Sequence, residues 1–143
     1  MKFVALNLKD KKLKWALVGT SNLALQGIDV KPNDLDIVTS VKNLDFFGKT
    51  FKRYVKEPIF KVPAYEGFLE YFKVRFQIKG VEVEVSGEYD NDVYFRRIKG
   101  GDLVKIRLGK IIIPCLSLGA QLEVYSELGK KDKIKLMREF FKK

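Results

Sequence analysis

The chain has 143 residues, of which 46% are hydrophobic and 32% charged, and its formal net charge is +10 with no histidine. This composition excludes a disordered chain, and the charge indicates either an anionic partner (a nucleotide, a nucleic acid or an acidic protein surface) or a lysine-rich solvated surface. With the single cysteine Cys115 and no histidine, an intramolecular disulfide is excluded and zinc is disfavoured, so oxygen ligands remain for a hard cation such as magnesium or manganese.

The chain reads as one domain over residues 1–143, with a basic helical C-terminal segment from about residue 117 to 143. No apolar run has the length of a membrane span, and the N-terminus lacks the long apolar segment of a signal peptide. We therefore expect a cytoplasmic protein that does not bind a membrane. Cys115 follows three isoleucines and Pro114, so we expect it in the core.

The first half of the chain predicts helices alternating with strands. In order, we expect a short N-terminal helix, the strand KWALVG (14–19), the short helix TSNLALQG capped by Thr20 or Ser21 and ended by Gly27, the strand DLDIVTS (34–40), and a helix that Ser40 begins. Pro32 and Asn33 mark the turn before the second strand.

The second half predicts two hairpins and then helices. FLEYFKVRFQI and VEVEVSGE alternate with period two around Lys79-Gly80, and DLVKIRL and KIIIP flank Gly109. Ser117 can cap a helical region that breaks at Gly129 and resumes as KKDKIKLMREFFKK. These elements predict an α/β (α+β) fold in which helices flank a mixed β-sheet.

Acidic residues in two of the predicted strands are the strongest chemical signal. Asp34 and Asp36 share one face of their strand, and Glu82 and Glu84 share one face of theirs. Neighbouring carboxylates repel and raise each other's pKa unless a cation lies between them. If the two strands are neighbours, at least three carboxylates converge, as a pair of magnesium ions holding a nucleoside triphosphate requires.

Each motif alone also has an ordinary structural interpretation. Asp-x-Asp is typical of a solvated edge strand or turn, and alternating valine and glutamate is typical of a half-exposed strand. Gly19-Thr20-Ser21 suits either a helix cap or a phosphate cradle at a helix N-terminus. The order and spacing of the motifs favour the metal site.

Gly19-Thr20-Ser21 followed by Asp34-Leu35-Asp36-Ile37 resembles the signature of the DNA polymerase β-like nucleotidyltransferase superfamily. LALQGI and LGKKDKIKLM are similar to its small prokaryotic branch, which includes antibiotic nucleotidyltransferases and the minimal or AbiEii-like proteins of toxin–antitoxin pairs. The resemblance covers residues 14 to 136. It implies that Asp34, Asp36 and a third acid are catalytic and bind two Mg²⁺ or Mn²⁺ ions. Glu84 is the first choice for the third acid, and Glu82 is the second.

The resemblance also implies the nucleotide-binding residues. Gly19, Thr20 and Ser21 would hold the triphosphate, although Thr20 stands where glycine or serine is usual. The relatives often carry Leu-Gly-Arg, a spacer and Lys-Asp; here Leu128-Gly129-Lys130-Lys131-Asp132 replaces the arginine and drops the spacer. By this likeness Lys131 would contact phosphate, as a point charge rather than as a bidentate fork.

Two functions of different classes follow. The first is an enzyme that transfers a nucleoside monophosphate from a triphosphate such as ATP to a hydroxyl of an unidentified acceptor: a protein, an RNA or a small molecule. The alternative is a non-catalytic antitoxin-like or nucleic-acid-binding protein that retains the fold.

The C-terminal segment sets Ile134, Met137, Phe140 and Phe141 at helical spacing. We expect Ile134 and Met137 in the core. Phe140 and Phe141 predict a second copy of the chain or a partner. The resemblance implies a HEPN-type toxin as that partner, and the basic charge of the segment leaves RNA as the alternative.

Overall fold

A seven-stranded mixed sheet organises the computed structural model, which describes residues 1–8, 12–65 and 68–143. The strand order is β3-β4-β5-β2-β1-β7-β6. The strands are β1 (Trp15–Val18), β2 (Asp34–Ser40), β3 (Val55–Val62), β4 (Tyr71–Ile78), β5 (Val81–Glu88), β6 (Leu103–Leu108) and β7 (Ile111–Leu116). The described helices are α1 (Lys2–Leu8), α2 (Gly19–Leu25), α3 (Val41–Thr50), α4 (Phe95–Lys99), α5 (Leu118–Glu127) and α6 (Lys131–Phe141).

Three central strands determine where the chemistry can lie. β1 pairs antiparallel with β2, whereas β2 pairs parallel with β5 and β1 pairs parallel with β7. Because β2 and β5 run in the same direction, their acidic N-terminal halves lie side by side. The mixed sheet between helices confirms the predicted fold class.

The core lies on both faces of this sheet. Side chains of the central strands alternate between the two faces of the sheet. Those on one face join a hydrophobic cluster under α1 and α3, and those on the other join a second cluster under α4 and α5. Cys115 is completely buried, as expected, and burial raises the pKa of its thiol to about 12. Among the described residues no helix is long and apolar enough to cross a membrane.

Both predicted hairpins are confirmed. Lys79 and Gly80 have φ values of 51° and 80°, the left-handed conformation that a two-residue hairpin turn requires. Gly109 turns the second hairpin with φ 63°. Two elements were not predicted, the edge strand β3 and the short helix α4.

One predicted N-cap is wrong, and two predicted helix starts are confirmed. The helix α2 begins at Gly19 itself, so neither Thr20 nor Ser21 caps it. Ser40 directly precedes α3, as predicted, although its side chain makes no capping hydrogen bond. The Ser117 hydroxyl does cap α5, accepting from the Ala120 N–H at 3.1 Å. At the C-terminus, Met137 is fully buried and Ile134 and Phe140 pack against a third cluster, whereas Phe141 is 49% exposed.

Candidate active site

Four carboxylates form a ladder across β2 and β5. In the parallel register, Asp34 lies opposite Glu82 and Asp36 lies opposite Glu84. Carboxylate oxygens of Asp34, Glu82 and Glu84 come within 4.8 Å of one another, and Asp36 lies close enough to Glu84 to share a hydrogen bond. The structure therefore brings together both predicted aspartates and both alternatives for the third acid.

Asp36 is the most perturbed of these acids. Burial, followed by the charges of Asp34 and Glu84, raises its pKa to about 7. The pKa of Asp34 is raised as well, by burial and then by Glu84 and Glu82. Repulsion among the carboxylates, which the sequence predicted, is thus a property of the folded chain.

Glu84 differs from the aspartates because two cations hold it. Arg75 Nε donates to Glu84 Oε1 at 2.7 Å, and Lys73 Nζ lies 3.4 Å from Oε2. Burial alone would raise the pKa of Glu84, but the hydrogen bond from Arg75 and the charges of Lys73 and Arg75 outweigh it and lower that pKa. Glu82 instead pairs with Lys56 at 2.9 Å.

The turn at Gly19 lies directly against Asp36. Gly19 has φ 70°, and a Cβ atom there would lie 3.1 Å from Asp36 Oδ2. Its N–H donates to Gln121 Oε1 at 2.9 Å, so Gln121 fixes the turn from α5. Ser21 links the adjacent strands, because its hydroxyl donates to the Val18 carbonyl at 3.2 Å and accepts from the Asp36 N–H at 3.3 Å.

These hydrogen bonds occupy groups of the glycine turn that could otherwise bind a phosphate. The Gly19 N–H and the Ser21 hydroxyl are both engaged within the protein. Thr20 presents its hydroxyl to α6, where it accepts from Lys133 Nζ at 3.0 Å.

The predicted phosphate contact Lys131 lies elsewhere. It lines a separate hollow between α5 and α6 with Ser126 and Arg138. Its neighbour Lys130, directly before α6, lines the cleft that contains Asp36, and Lys133 of α6 reaches Thr20 beside the glycine turn.

A cleft of about 240 Å³ opens beside Asp36 and Glu84. Aromatic side chains line its other walls: Tyr65, Phe68, Tyr71, Tyr94 and Tyr125. The ring centroids of Phe68 lie 5.4 Å from those of both Tyr65 and Tyr71, so these three form a continuous wall. Such a cleft can hold a flat organic group against the acids.

A family model for aminoglycoside-2''-adenylyltransferase matches residues 1–139. The chain belongs to this family. It is accordingly a nucleotidyltransferase. No curated protein matches the chain.

Solved structures agree with the fold. A candidate nucleotidyltransferase from Thermotoga maritima is 22% identical with a TM-score of 0.75, the alignment covering 98% of this chain and 89% of that chain. The lincosamide antibiotic adenylyltransferase LnuA, solved with lincomycin, is 13% identical with a TM-score of 0.62 over 95% and 92% of the two chains. ANT(2")-Ia with adenylyl-2"-tobramycin is 10% identical with a TM-score of 0.50 over 99% and 93%.

The acids of this adenylyltransferase-family chain have the chemistry of a divalent-cation site. Three carboxylates lie close together, and burial, followed by the charges of Asp34 and Glu84, raises the pKa of Asp36 beside them. Carboxylate oxygens are the ligands that magnesium and manganese prefer. The residues present therefore fit a divalent ion.

Sequence reasoning missed several residues at this site. The predicted hairpin turn at Lys79-Gly80 could have revealed Arg75, because the register of that hairpin sets Arg75 opposite Glu84. Lys73 lies two residues earlier on the same strand, opposite Ser86. Glu88, on the same strand, lines the cleft with 1% exposure and accepts from the N–H groups of Tyr94 and Phe95 at 3.1 and 2.9 Å. Gln121 has no local signal, because it lies 102 residues from the turn that it holds.

Proposed function

We propose that this nucleotidyltransferase transfers AMP from ATP to a hydroxyl of its acceptor, with Asp34, Asp36 and Glu84 binding two Mg²⁺ or Mn²⁺ ions. The adenylyl group is suggested by the family description, and the acceptor is unidentified. The observation that carries the proposal is the convergence of these carboxylates on paired strands beside the Gly19 turn.

Different side chains would bind the metal ions and the triphosphate. Asp36 and Glu84 line the cleft together, whereas Asp34 and Glu82 do not line it, which favours Glu84 as the third ligand. Thr20, Lys130 and Lys133 supply a hydroxyl and two cations where the triphosphate would lie. When bound, the divalent ions lower the pKa of the acceptor hydroxyl and stabilise charge on the departing pyrophosphate.

Calorimetric titration with Mn²⁺ and a non-hydrolysable ATP analogue tests the proposal. Asp34→Asn and Asp36→Asn should each weaken metal–nucleotide binding by at least about tenfold, because each removes a ligand. Asp45→Asn is the matched control, since Asp45 is an exposed aspartate paired with Lys49 on α3. An aspartate variant that melts at lower temperature and binds normally would show that these acids are structural.

The same titration separates the two glutamates. Glu84→Gln should match the aspartate variants, whereas Glu82→Gln should be milder because Glu82 lies one pair further along the strand. The reverse order would assign Glu82 as the third ligand. Binding of RNA without metal, together with no binding of the ATP analogue, would favour the non-catalytic alternative.

We also propose that the protein acts in the cytoplasm and that its C-terminus contacts a second copy or a partner protein. Phe141 is 49% exposed at the end of α6, while Phe140 packs against Phe141 and the core. The resemblance favours a HEPN-type toxin as the partner protein, and the basic charge of the C-terminal segment favours RNA as the alternative. Light scattering of the intact chain and of Phe141→Ser tests self-association: a dimer that the substitution dissociates supports it, and monomers in both contradict it.

A further inference from the structure

A second hollow lies on the same face of the sheet, at the far end of β2 from the acids. It has a volume of about 330 Å³ and is lined by Lys12, Lys14, Ser40, Lys42, Asn43, Asp90, Phe95 and Lys99. Ser40 follows Asp36 by four residues of extended strand, a distance of about 13 Å. Tyr94 lines the first cleft and Phe95 lines this hollow, so the start of α4 separates the two.

The charges around this hollow are strongly one-sided. Four of its lining residues are lysines and one is an aspartate. Asp90 is already paired with Lys99 at 2.9 Å, and Lys42 contributes to the lowered pKa of Asp90. Lys14 Nζ donates to the Lys99 carbonyl at 3.4 Å, which holds two of the lysines next to each other. The hollow therefore keeps an excess of positive charge, which favours binding of an anion.

The backbone at the hollow also favours an anion. The ten-residue helix α3 begins here, and its second and third residues, Lys42 and Asn43, line the hollow. The first turn contains no acidic residue, and the Ser40 side chain does not cap it. The N–H groups of a helix's first turn have no partner inside the helix, and they attract negative charge.

Ser40 provides independent evidence that the hollow is a binding site. Its side chain is 4% exposed, and among the described residues its Oγ has no hydrogen-bond partner. Buried hydroxyls are normally paired, so an unpaired one that belongs to the lining of a basic hollow needs an explanation. A bound oxyanion, with the small rotation of Ser40 that it permits, supplies one.

We propose that this hollow, formed by Ser40, Lys42, Asn43, Lys14 and Lys99, binds the phosphate group of a ligand separately from the metal site. Phosphate oxygens would accept from the first turn of α3 and from the lysines. The inference does not depend on the proposed catalytic function, because none of the acids that the proposed function assigns to metal lines this hollow.

NMR titration of the ¹⁵N-labelled full chain with inorganic phosphate, at constant ionic strength and with EDTA present, tests the proposal. The amides of Lys42 and Asn43 should shift and saturate. The double variant Lys42→Gln/Lys99→Gln should raise the Kd by at least about tenfold, because two charge-assisted hydrogen bonds are lost. Lys105→Gln/Lys110→Gln removes the same charge from the second hairpin and should leave the Kd unchanged.

A second arm identifies the source of the phosphate. A single-stranded RNA oligomer is titrated in EDTA into the same three proteins. If RNA but not phosphate binds, and only the double variant loses it, the site binds a polynucleotide backbone; if phosphate alone binds, the ligand is a small phosphorylated molecule. Linear shifts without saturation in both arms, or equal weakening by both pairs of substitutions, would overturn the proposal.

Discussion

Gly19 is the residue at which backbone conformation and the proposed chemistry meet. Its φ of 70° disfavours any residue with a Cβ, and that Cβ would lie 3.1 Å from Asp36 Oδ2. Gly19→Ala should therefore cost about 1–2 kcal/mol of stability and also displace the Asp36 carboxylate. We expect it to weaken Mn²⁺–nucleotide binding by at least about tenfold, measured calorimetrically.

Gly109 provides the control for backbone strain alone. Its φ of 63° is nearly the same, but the nearest atom to an added Cβ is Lys2 Nζ at 3.9 Å, the end of a flexible side chain. Gly109→Ala should lower the melting temperature as Gly19→Ala does and leave metal binding intact. If both variants lost binding equally, general destabilisation rather than the contact with Asp36 would be the cause.

At the scale of elements, Gly87 sets how closely α3 approaches β5. A Cβ at Gly87 would lie 3.1 Å from both the Val41 Cα and the Leu44 Cδ2 atoms, and the Val41 atom is backbone. Gly87→Ala should push α3 away from the sheet and destabilise the protein by about 1–3 kcal/mol in chemical denaturation.

Gly119 supplies the opposite case. It lies within α5, and an added Cβ meets nothing within 4 Å, so Gly119→Ala should stabilise the protein by up to about 1 kcal/mol. Destabilisation by both substitutions would contradict the interpretation that the contact between α3 and β5 causes the effect at Gly87.

Local patterns predicted those elements whose physics is local. Period-two alternation and a left-handed turn determined the β4–β5 hairpin, and that hairpin determined the position of Arg75 opposite Glu84. The edge strand β3 escaped prediction because its residues are mostly exposed and include Pro58, so its hydrophobic pattern is weak. The N-cap predicted at Thr20 or Ser21 failed because the helix begins at Gly19, where Gln121 of α5 binds the turn.

The acidic site was predictable in part for the same reason. Each strand's alternation gave one face with two acids, but the parallel pairing of β2 with β5 is a property of topology. The lysines show more clearly that a sequence motif alone does not determine which side chains reach the site. Lys131 matched a motif, yet the helical geometry of α6 turns Lys133, two residues on, toward Thr20.

For the whole molecule, the distribution of charge separates two regions. The chain's net charge is +10, but the ladder of four carboxylates on β2 and β5 is acidic, and the neighbouring cations Lys73, Arg75 and Lys56 are each paired with a carboxylate. Part of the excess positive charge surrounds the hollow at the start of α3. Two regions of opposite charge therefore lie on one face of one sheet, as the proposed metal site and the proposed phosphate site require.

The acidic region should also make the stability of the metal-free protein depend on pH. The pKa values of Asp36 and Glu88 are each raised to about 7, mainly by burial, so between the ordinary carboxyl pKa and pH 7 the folded state binds more protons than the unfolded state. Stability must then fall as pH rises through this window. Glu84, whose pKa is lowered, contributes in the opposite direction and loses its contribution only as the solution becomes acidic.

Asp36→Asn isolates the contribution of one group. Because the amide never ionises, this variant should exceed the wild type in stability by on the order of 1 kcal/mol at pH 8 in EDTA, and by less at pH 5, as measured by urea denaturation. Asp45→Asn, at an exposed position, should show the same difference from wild type at both pH values. Adding Mg²⁺ at pH 8 should stabilise the wild type and not Asp36→Asn, because the cation offsets a repulsion that the amide has already removed. An Asp36→Asn protein less stable than wild type at pH 8 would mean that the carboxylate supports the fold rather than the metal site.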